Sequence, residues 1–437
     1  MATAAGPLRL VFLTLEYKAG TFSGNGIYAQ SQVRSLTRLG HRVFVISAAP
    51  EASPSTSKTS DEYALIEIPV PVWGRLDRKS GWREFSEGIT PAICTQVVSF
   101  APHWALVVDW SAIGTYKRLV NADCWGEGGV NKPPLAYLNY RIYAVTEYKR
   151  RDDEDREADQ EFYRMAESSA VGMASAITAL STADARYLEV DLGDARRKEV
   201  VPKALLPPLR EDIRQIALSK DKGGSNQGWE KGRLYFTCCV RLSEEKNAML
   251  FAAVLEELAP WLETVGIQPL LCGGAAKAEE GSYAQAVKER VSKAAPGVVL
   301  KDGFLPPEGL AEVFSRTLLN FHPCVYDAYG MTIVEAAAFG VPSVVNKGTA
   351  GAVGAADLLR IRDGMAIGVN LERKPAQIAE AVKEALLDRR KLAEVGTAAA
   401  GKAMAWSEEA NAKELVDILR SSPRLPPSRP GPEDAVL

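Results

Sequence analysis

The chain has 437 residues, 46% of them hydrophobic and 24% charged, with a formal net charge of −3. That length exceeds what one hydrophobic core accommodates and points to two or three domains, while the composition is that of an ordinary globular protein. The near-neutral balance, with no long basic block, excludes nucleic acid as a general partner.

The first apolar run, Leu8–Leu15, is followed at once by Glu16 and Lys18 and has no basic leader before it, so it reads as a buried strand and not a signal peptide. Further strands are predicted at Arg42–Ser47, Ala64–Val70, Trp104–Asp109, Pro134–Tyr140, Ala176–Leu180 and Glu199–Lys203. Between them fall helices at Gly26–Leu39, Trp82–Phe100, Ile113–Val120, Asp155–Met173 and Ala183–Val190. Short apolar strands alternating with helices imply βαβ units and a parallel sheet covered on both faces.

Residues 205–232 interrupt this alternation. Pro207-Pro208 and Gly223-Gly224-Ser225 read as a linker or surface loop. The pattern restarts with strands at Leu234–Arg241, Ile267–Cys272, Val298–Lys301, Leu318–His322 and Ser343–Asn346. Helices fit Asn247–Leu258, Tyr283–Ala294, Pro307–Ser315, Thr332–Phe339, Pro375–Leu387 and Arg390–Ala403. The expected organisation is a doubly wound domain over 1–204, the linker, and a second over 233–405. A last helix follows over 406–422 and a proline-rich disordered tail over 423–437.

The six cysteines (Cys94, Cys124, Cys238, Cys239, Cys272 and Cys324) include no Cys-x-x-Cys spacing, which favours reduced thiols in a reducing compartment. Only His41, His103 and His322 are present, too few for a histidine-rich metal site. No stretch reaches about 18 uninterrupted apolar residues, so no membrane span is expected. A cytoplasmic location follows as the expectation; association at a membrane surface or with a homologous partner stays open.

Chemistry concentrates in the second half. A strand delivers Arg241, and the turn Glu245-Lys246-Asn247 places Lys246 at a helix start. Guanidinium fork and ammonium point charge suit a diphosphate. Asp327-Ala328-Tyr329-Gly330-Met331-Thr332-Ile333-Val334-Glu335 then sets two carboxylates eight positions apart before Gly340-Val341-Pro342. Carboxylates suit sugar and ribose hydroxyls because each accepts several hydrogen bonds. Thr332-x-x-Glu335 also fits a capping box, which would fold Glu335 back onto its own helix. Gly273-Gly274 ends a buried strand and would let backbone approach a ligand. Early in the chain, Gly24-Asn25-Gly26 opens a helix, without the third glycine of a dinucleotide fingerprint.

In order and spacing these segments resemble the retaining family 4 glycosyltransferases of the GT-B fold, glycosyl transferases group 1. The resemblance implies an α/β, GT-B-like protein of two doubly wound Rossmann-like domains facing across a cleft, with the last helix crossing back to the first. It implies a retaining transfer from a nucleotide diphosphate-sugar to an acceptor, with no metal, cofactor or protein nucleophile. Arg241, Lys246 and Asp327 would be catalytic; Gly24, Gly26, Gly273, Gly274, Tyr329, Gly330, Met331, Thr332 and Glu335 would hold the donor. The sequence departs from the family at Val240, where glycine is usual, and at Asp327, where glutamate is usual. It also lacks the histidine the family carries after a middle strand of the first domain; Asp109, Asn139 or Arg141 would stand in for it. Asp153-Glu154-Asp155 mimics the metal triplet of another glycosyltransferase fold but lies in a solvated charge run. On this reading Arg241→Ala with Lys246→Ala impairs turnover without unfolding the protein. The same residues also fit a nucleotide-sugar hydrolase or epimerase, or a non-catalytic subunit beside an active homologue.

Overall fold

The structure, a computed structural model, describes residues 6–17, 23–51, 58–59, 63–125, 132–146, 155–192, 199–221, 234–274, 283–349 and 352–425. The chain divides into two compact units, Met1–Leu205 with Glu409–Leu437, and Leu206–Glu408. Both are α/β, each built on one sheet.

The first unit contains β1 (Arg9–Thr14), β2 (Arg42–Pro50), β3 (Lys58–Thr59), β4 (Ala64–Val70), β5 (Trp104–Val108), β6 (Leu135–Asn139), β7 (Ala176–Ala179) and β8 (Lys203–Ala204). Their order is β3-β4-β2-β1-β5-β6-β7-β8, all parallel except β3 against β4. Every residue of β5 and β6 is buried, which explains why their sequences are apolar but for Asn139 at the end of β6: helices cover both faces. The chain winds outward from β1 through β2 and resumes on its other side at β5. Between those two strands the winding reverses, and ligands of doubly wound sheets bind beyond the carboxyl ends at such a reversal.

The second unit contains β9 (Tyr235–Cys239), β10 (Gln268–Gly273), β11 (Val299–Asp302), β12 (Thr317–Phe321), β13 (Ser343–Asn346) and β14 (Ile367–Val369). The order is β11-β10-β9-β12-β13-β14, parallel throughout, with the reversal between β9 and β12. Both strands at the reversal are fully buried. Phe236, Phe251 and Phe321 form their shared core, with ring centroids 5.4–6.0 Å apart.

Several local expectations change. The helix expected over Trp82–Phe100 is two, Trp82–Glu87 and Pro91–Phe100. Gly88 ends the first, and a Cβ there would meet Ile68 Cγ2 at 2.3 Å. The Thr90 hydroxyl then caps Ile93 N, with Pro91 in the first turn, where its missing N–H costs nothing. Of the stretch read as strand Glu199–Lys203 only Lys203 pairs, together with Ala204 just beyond it. β3, β14 and the helices Tyr143–Thr146 and Ala355–Leu358 were not foreseen.

The stretch 205–232, read as a linker, begins with built structure instead. Leu209 bridges Ser407, and Glu211–Asp221 is a helix whose first amide is held by Glu408 Oε1 at 3.2 Å. Residues 222–233 lie outside the described residues, as do Asp153, Glu154 and 426–437. The last helix runs Glu408–Ser421, and from Glu409 onward the chain groups with the first unit. There Asn411 Nδ2 donates to Tyr28 Oη at 3.0 Å and Arg420 to Gly6 O at 3.3 Å. The tail is held as far as Leu425, whose amide donates to Ser175 Oγ at 3.2 Å. Among the described residues no helix is long and apolar enough to cross a membrane.

Candidate active site

In the second unit the reversal between β9 and β12 is furnished by two loops. Beyond β9 the backbone stays paired, Val240 N to Cys272 O at 3.1 Å and Leu242 N to Gly274 O at 3.0 Å. A 3-10 turn, Glu244–Lys246, follows, and Asn247 at φ 52°, ψ 38° redirects the chain into the helix Ala248–Thr264. Asparagine is among the few side chains that adopt this left-handed geometry readily. Arg241 Nη2 meets Glu245 Oε2 at 2.8 Å; Lys246 Nζ reaches Asp327 Oδ2 at 2.7 Å and Glu245 Oε1 at 3.6 Å.

Asp327 enters six positions beyond β12. Its backbone is clamped by Asp327 N to Ala352 O at 3.0 Å, Gly354 N to Asp327 O at 3.0 Å and Ala355 N to Tyr329 O at 2.7 Å. A Cβ at Gly354 would sit 2.1 Å from Ala328 O, so only glycine allows the two segments to close. Gly354→Ala should therefore lower stability by about 1–3 kcal/mol, read as an earlier urea midpoint with an unchanged slope. An unmoved midpoint would show that this clamp is dispensable.

His322, the first residue after β12, completes the cluster. Its Nε2 lies 3.1 Å from Asp327 Oδ2, and its buried Nδ1 has no hydrogen-bond partner. Because a carboxylate only accepts, this geometry assigns the proton to Nε2. Burial opposes the charge on Asp327, yet Lys246 and His322 outweigh it and hold the carboxyl well below its ordinary range. Burial likewise opposes the Lys246 charge, and Asp327 with Glu245 raises its pKa in spite of that. The pair is thus ionised at neutral pH. On sequence alone the three histidines only argue against a histidine-rich metal site, and His322 receives no role; its position at a strand end, five residues before an acid, is the available signal.

Tyr329 is buried beside the cluster, its amide 3.4 Å from Asp327 Oδ1. Gly330, at φ 91°, is the residue from which the helix Met331–Ala338 starts, and a Cβ there would crowd Ile333 and His322. Met331 and Thr332 form the first turn, both half-buried. Thr332 therefore lies inside the helix and cannot be its cap, so the capping-box alternative does not form. Glu335 instead faces Arg210, Oε1 to Nη1 at 3.5 Å, with Arg210 also held by Asp212 at 2.6 Å. Burial raises the Glu335 pKa, Arg210 opposes this, and Asp212 adds to it. The Cys272 thiol and burial raise the thiol pKa of Cys239, the last residue of β9, and Glu335 adds to it. Arg210, 125 positions away in the supposed linker, left no signal in the sequence.

The glycines after β10 are required by the protein's own packing. A Cβ at Gly273 would meet Val240 O at 1.9 Å, and one at Gly274 would meet Gly303 Cα at 3.0 Å. This is a different need from the approach to a nucleotide that the sequence suggested.

The ligand-type atoms of His322, Cys324 and Asp327 lie within 4.8 Å of one another. As a metal centre the set fits poorly. The Lys246 ammonium sits 2.7 Å from the Asp327 oxygen that a cation would need, and burial keeps the Cys324 thiol protonated.

In the first unit the reversal between β1 and β5 carries Gly24 and Gly26 at the head of the helix Gly24–Arg38, capped by the Ser23 hydroxyl. Glu16, buried after β1, accepts Ser23 N at 2.8 Å, and its carboxylate fills the space a Cβ on Gly26 would take, 2.6 Å away. Asp109, directly after β5, accepts Asn25 Nδ2 at 3.0 Å and Tyr140 N at 2.6 Å. Its backbone is strained, φ 53° with ψ 176°, a region almost confined to glycine. Burial pushes its pKa up to about 7, against the Tyr140 amide and the Arg141 charge. Asn139 Nδ2 donates to Tyr137 Oη at 3.1 Å and Arg141 O at 3.0 Å, and Arg141 stacks over Tyr143, 5.1 Å from the centroid. Asp109 is thus the strand-end residue tied to the glycine loop, whereas His41 and His103 accept the amides of Leu8 and Arg9, each at 3.0 Å.

Comparison with known proteins agrees with this architecture. Residues 220–402 match the family model Glycosyl transferases group 1. A sucrose-phosphate synthase from Thermosynechococcus elongatus superposes with a TM-score of 0.72 at 15% identity, over 94% of this chain and 98% of that one. The catalytic domain of starch synthase IV from Arabidopsis thaliana, bound to ADP and acarbose, gives 0.64 at 14% identity over 95% and 99%. An Anabaena protein, HepE, in complex with UDP gives 0.60 at 16% over 95% and 100%. A search of curated proteins found no significant match. The chain therefore carries a glycosyl transferases group 1 domain within a protein of GT-B fold.

Proposed function

We propose that the protein is a retaining glycosyltransferase that takes a sugar from a nucleotide diphosphate-sugar without a metal ion. The observation that carries this reading is the ionised Lys246–Asp327 pair, its carboxylate buried and its ammonium half-buried, beside Arg241 at the reversal between β9 and β12. The UDP and ADP named with two structures of the same fold support a nucleoside diphosphate as the leaving group.

The chemistry asked of these residues is electrostatic. As the sugar–phosphate bond breaks, negative charge builds on the diphosphate, and the Arg241 fork and Lys246 ammonium meet it. Lys246 carries three N–H donors, and the bond to Asp327 uses one. Asp327, fixed in its charged form, keeps lone pairs for sugar hydroxyls, and Glu335 offers its carboxylate to the ribose diol. The acceptor attacks the face the diphosphate leaves, so configuration is retained with no protein nucleophile.

The test is a panel of UDP-, GDP- and ADP-sugars in the presence of a chelator, with products followed by NMR. The expected result is transfer of one α-linked donor sugar into an α-linked product at an unchanged rate with chelator. A β-linked product would refute retention, and chelator inhibition would refute metal independence. Donor binding without turnover would favour the non-catalytic subunit.

A further inference from the structure

Glu335 and Arg210 reach each other from distant parts of the second unit. Glu335 is buried on the helix Met331–Ala338, where a carboxylate without a cation beside it would be costly. Arg210 stands at the head of the helix Glu211–Asp221, its carbonyl accepting Arg214 N at 2.9 Å. The backbone that delivers it is fastened on both sides. Before it, Leu209 N donates to Trp406 O at 3.1 Å and the Trp406 indole N–H to Leu206 O at 2.9 Å. After it, Glu211 N donates to Glu408 Oε1 at 3.2 Å and Ile213 is fully buried. Lys220 Nζ then reaches Ala311 O at 3.2 Å and lies 5.8 Å from the ring centroid of Phe339, the residue that closes the Glu335 helix. The helix Glu211–Asp221 is thereby strapped against the one that carries Glu335.

The guanidinium divides its fork between two carboxylates. Nη2 meets Asp212 Oδ2 at 2.6 Å, and Nη1 meets Glu335 Oε1 at 3.5 Å. Asp212 is exposed and Glu335 buried, so the tighter bond anchors the cation at the rim and the longer one turns its second prong inward. Glu335 Oε2 has no partner among the described residues, yet it is not sealed from solvent. Carboxylate oxygens each accept more than one hydrogen bond, so Arg210 fixes the group through one oxygen and leaves acceptors open on both. Burial and the Asp212 charge raise the Glu335 pKa, and Arg210 is what opposes them. A protonated carboxyl would offer fewer acceptors to a diol.

We propose that Arg210 is a positioning residue for the donor's ribose: its fork, anchored on Asp212, holds Glu335 aimed at the ribose diol, and the site thereby discriminates ribose from deoxyribose. In this role Arg210 acts through Glu335 and not on the donor. The assignment rests on the transferase reading, in which Glu335 takes the diol. A counter-ion serving stability alone would need only charge. Lysine supplies that, but it lacks the planar fork that meets two carboxylates in one fixed geometry.

The test is calorimetric titration of the full chain with UDP, GDP and ADP, each beside its monophosphate and its 2′-deoxy diphosphate. It is run on wild type, Glu335→Ala, Arg210→Ala and Arg210→Lys. Wild type should bind one ribonucleoside diphosphate roughly tenfold or more tightly than its deoxy form, the loss of one charge-assisted bond, and Glu335→Ala should erase that ratio. In Arg210→Ala, and in Arg210→Lys, which keeps the charge should alanine fail to fold, the ratio should fall to roughly threefold or less. Both Arg210 variants should keep the preference for diphosphate over monophosphate. A ribose ratio equal to wild type in either of them would overturn the positioning role. So would loss of the diphosphate preference together with the ratio, which marks a disrupted site. A wild type that binds no diphosphate, or that binds ribose and deoxyribose forms alike, or a Glu335→Ala variant that keeps the ratio, would strike the donor reading itself and this role with it.

Discussion

Lys246→Ala should lower the unfolding free energy by about 3–5 kcal/mol, the usual cost of leaving a buried charge without its partner, and abolish transfer. Asp327 is 8% exposed and its tightest partner is that ammonium, at 2.7 Å. Arg241→Ala should behave differently. Its ion pair with Glu245 is a part-buried i,i+4 contact, worth about 1 kcal/mol or less, and its loss leaves no fully buried carboxylate unpaired, so the variant should unfold close to wild type. Loss of one charge-assisted bond to the diphosphate would then cost roughly tenfold to a hundredfold in kcat/KM. The sequence suggested that both cations could be removed without unfolding; the structure separates them. Urea unfolding of the two single variants decides it, and equal midpoints would refute a structural duty for Lys246.

Asp109→Asn should become progressively more stable relative to wild type as pH rises from about 4 to about 7, by roughly 1.4 kcal/mol per pH unit. The sign follows from the direction of the shift. Burial raises the folded pKa to about 7 from an ordinary 3.8, so the folded state holds the proton more tightly than the unfolded chain. The resulting stability is complete at the acid end of that window and gone once pH passes the folded pKa. Asparagine keeps the acceptor for Tyr140 N and removes the titration. The φ of 53° at Asp109 persists in either variant and cancels in the comparison. Paired denaturation at pH 5 and pH 8.5 checks this, and a stability difference independent of pH would show that Asp109 is not a buried, titrating carboxyl.

The parts of the fold that sequence made legible are those set by local physics. β5, β6, β9 and β12 are mostly apolar and fully buried because both faces of their sheets are covered, and Arg241 and Lys246 flank a turn that the strand–turn–helix pattern announces. What sequence did not yield depends on distant partners. Arg210 meets Glu335 across 125 positions, and Lys246 meets Asp327 across 81. Neither separation has a periodicity. Pro207-Pro208 suggested a loop because proline ends helices, yet the helix Glu211–Asp221 begins just beyond, at Glu211 and Asp212, acids that suit a first turn. Gly26 and Gly273 looked like ligand-facing glycines; their neighbours, the Glu16 carboxylate and the Val240 carbonyl, give each a packing cause that only coordinates reveal.

The central claim is that the cations beyond β9 grip a diphosphate. Calorimetric titration of wild type and Arg241→Ala with UDP, GDP and ADP, beside the corresponding monophosphates, tests it most directly. One diphosphate should bind wild type well ahead of its monophosphate, and Arg241→Ala should weaken that diphosphate by roughly tenfold or more while sparing the monophosphate. Equal affinity of wild type and variant for every diphosphate would contradict the account.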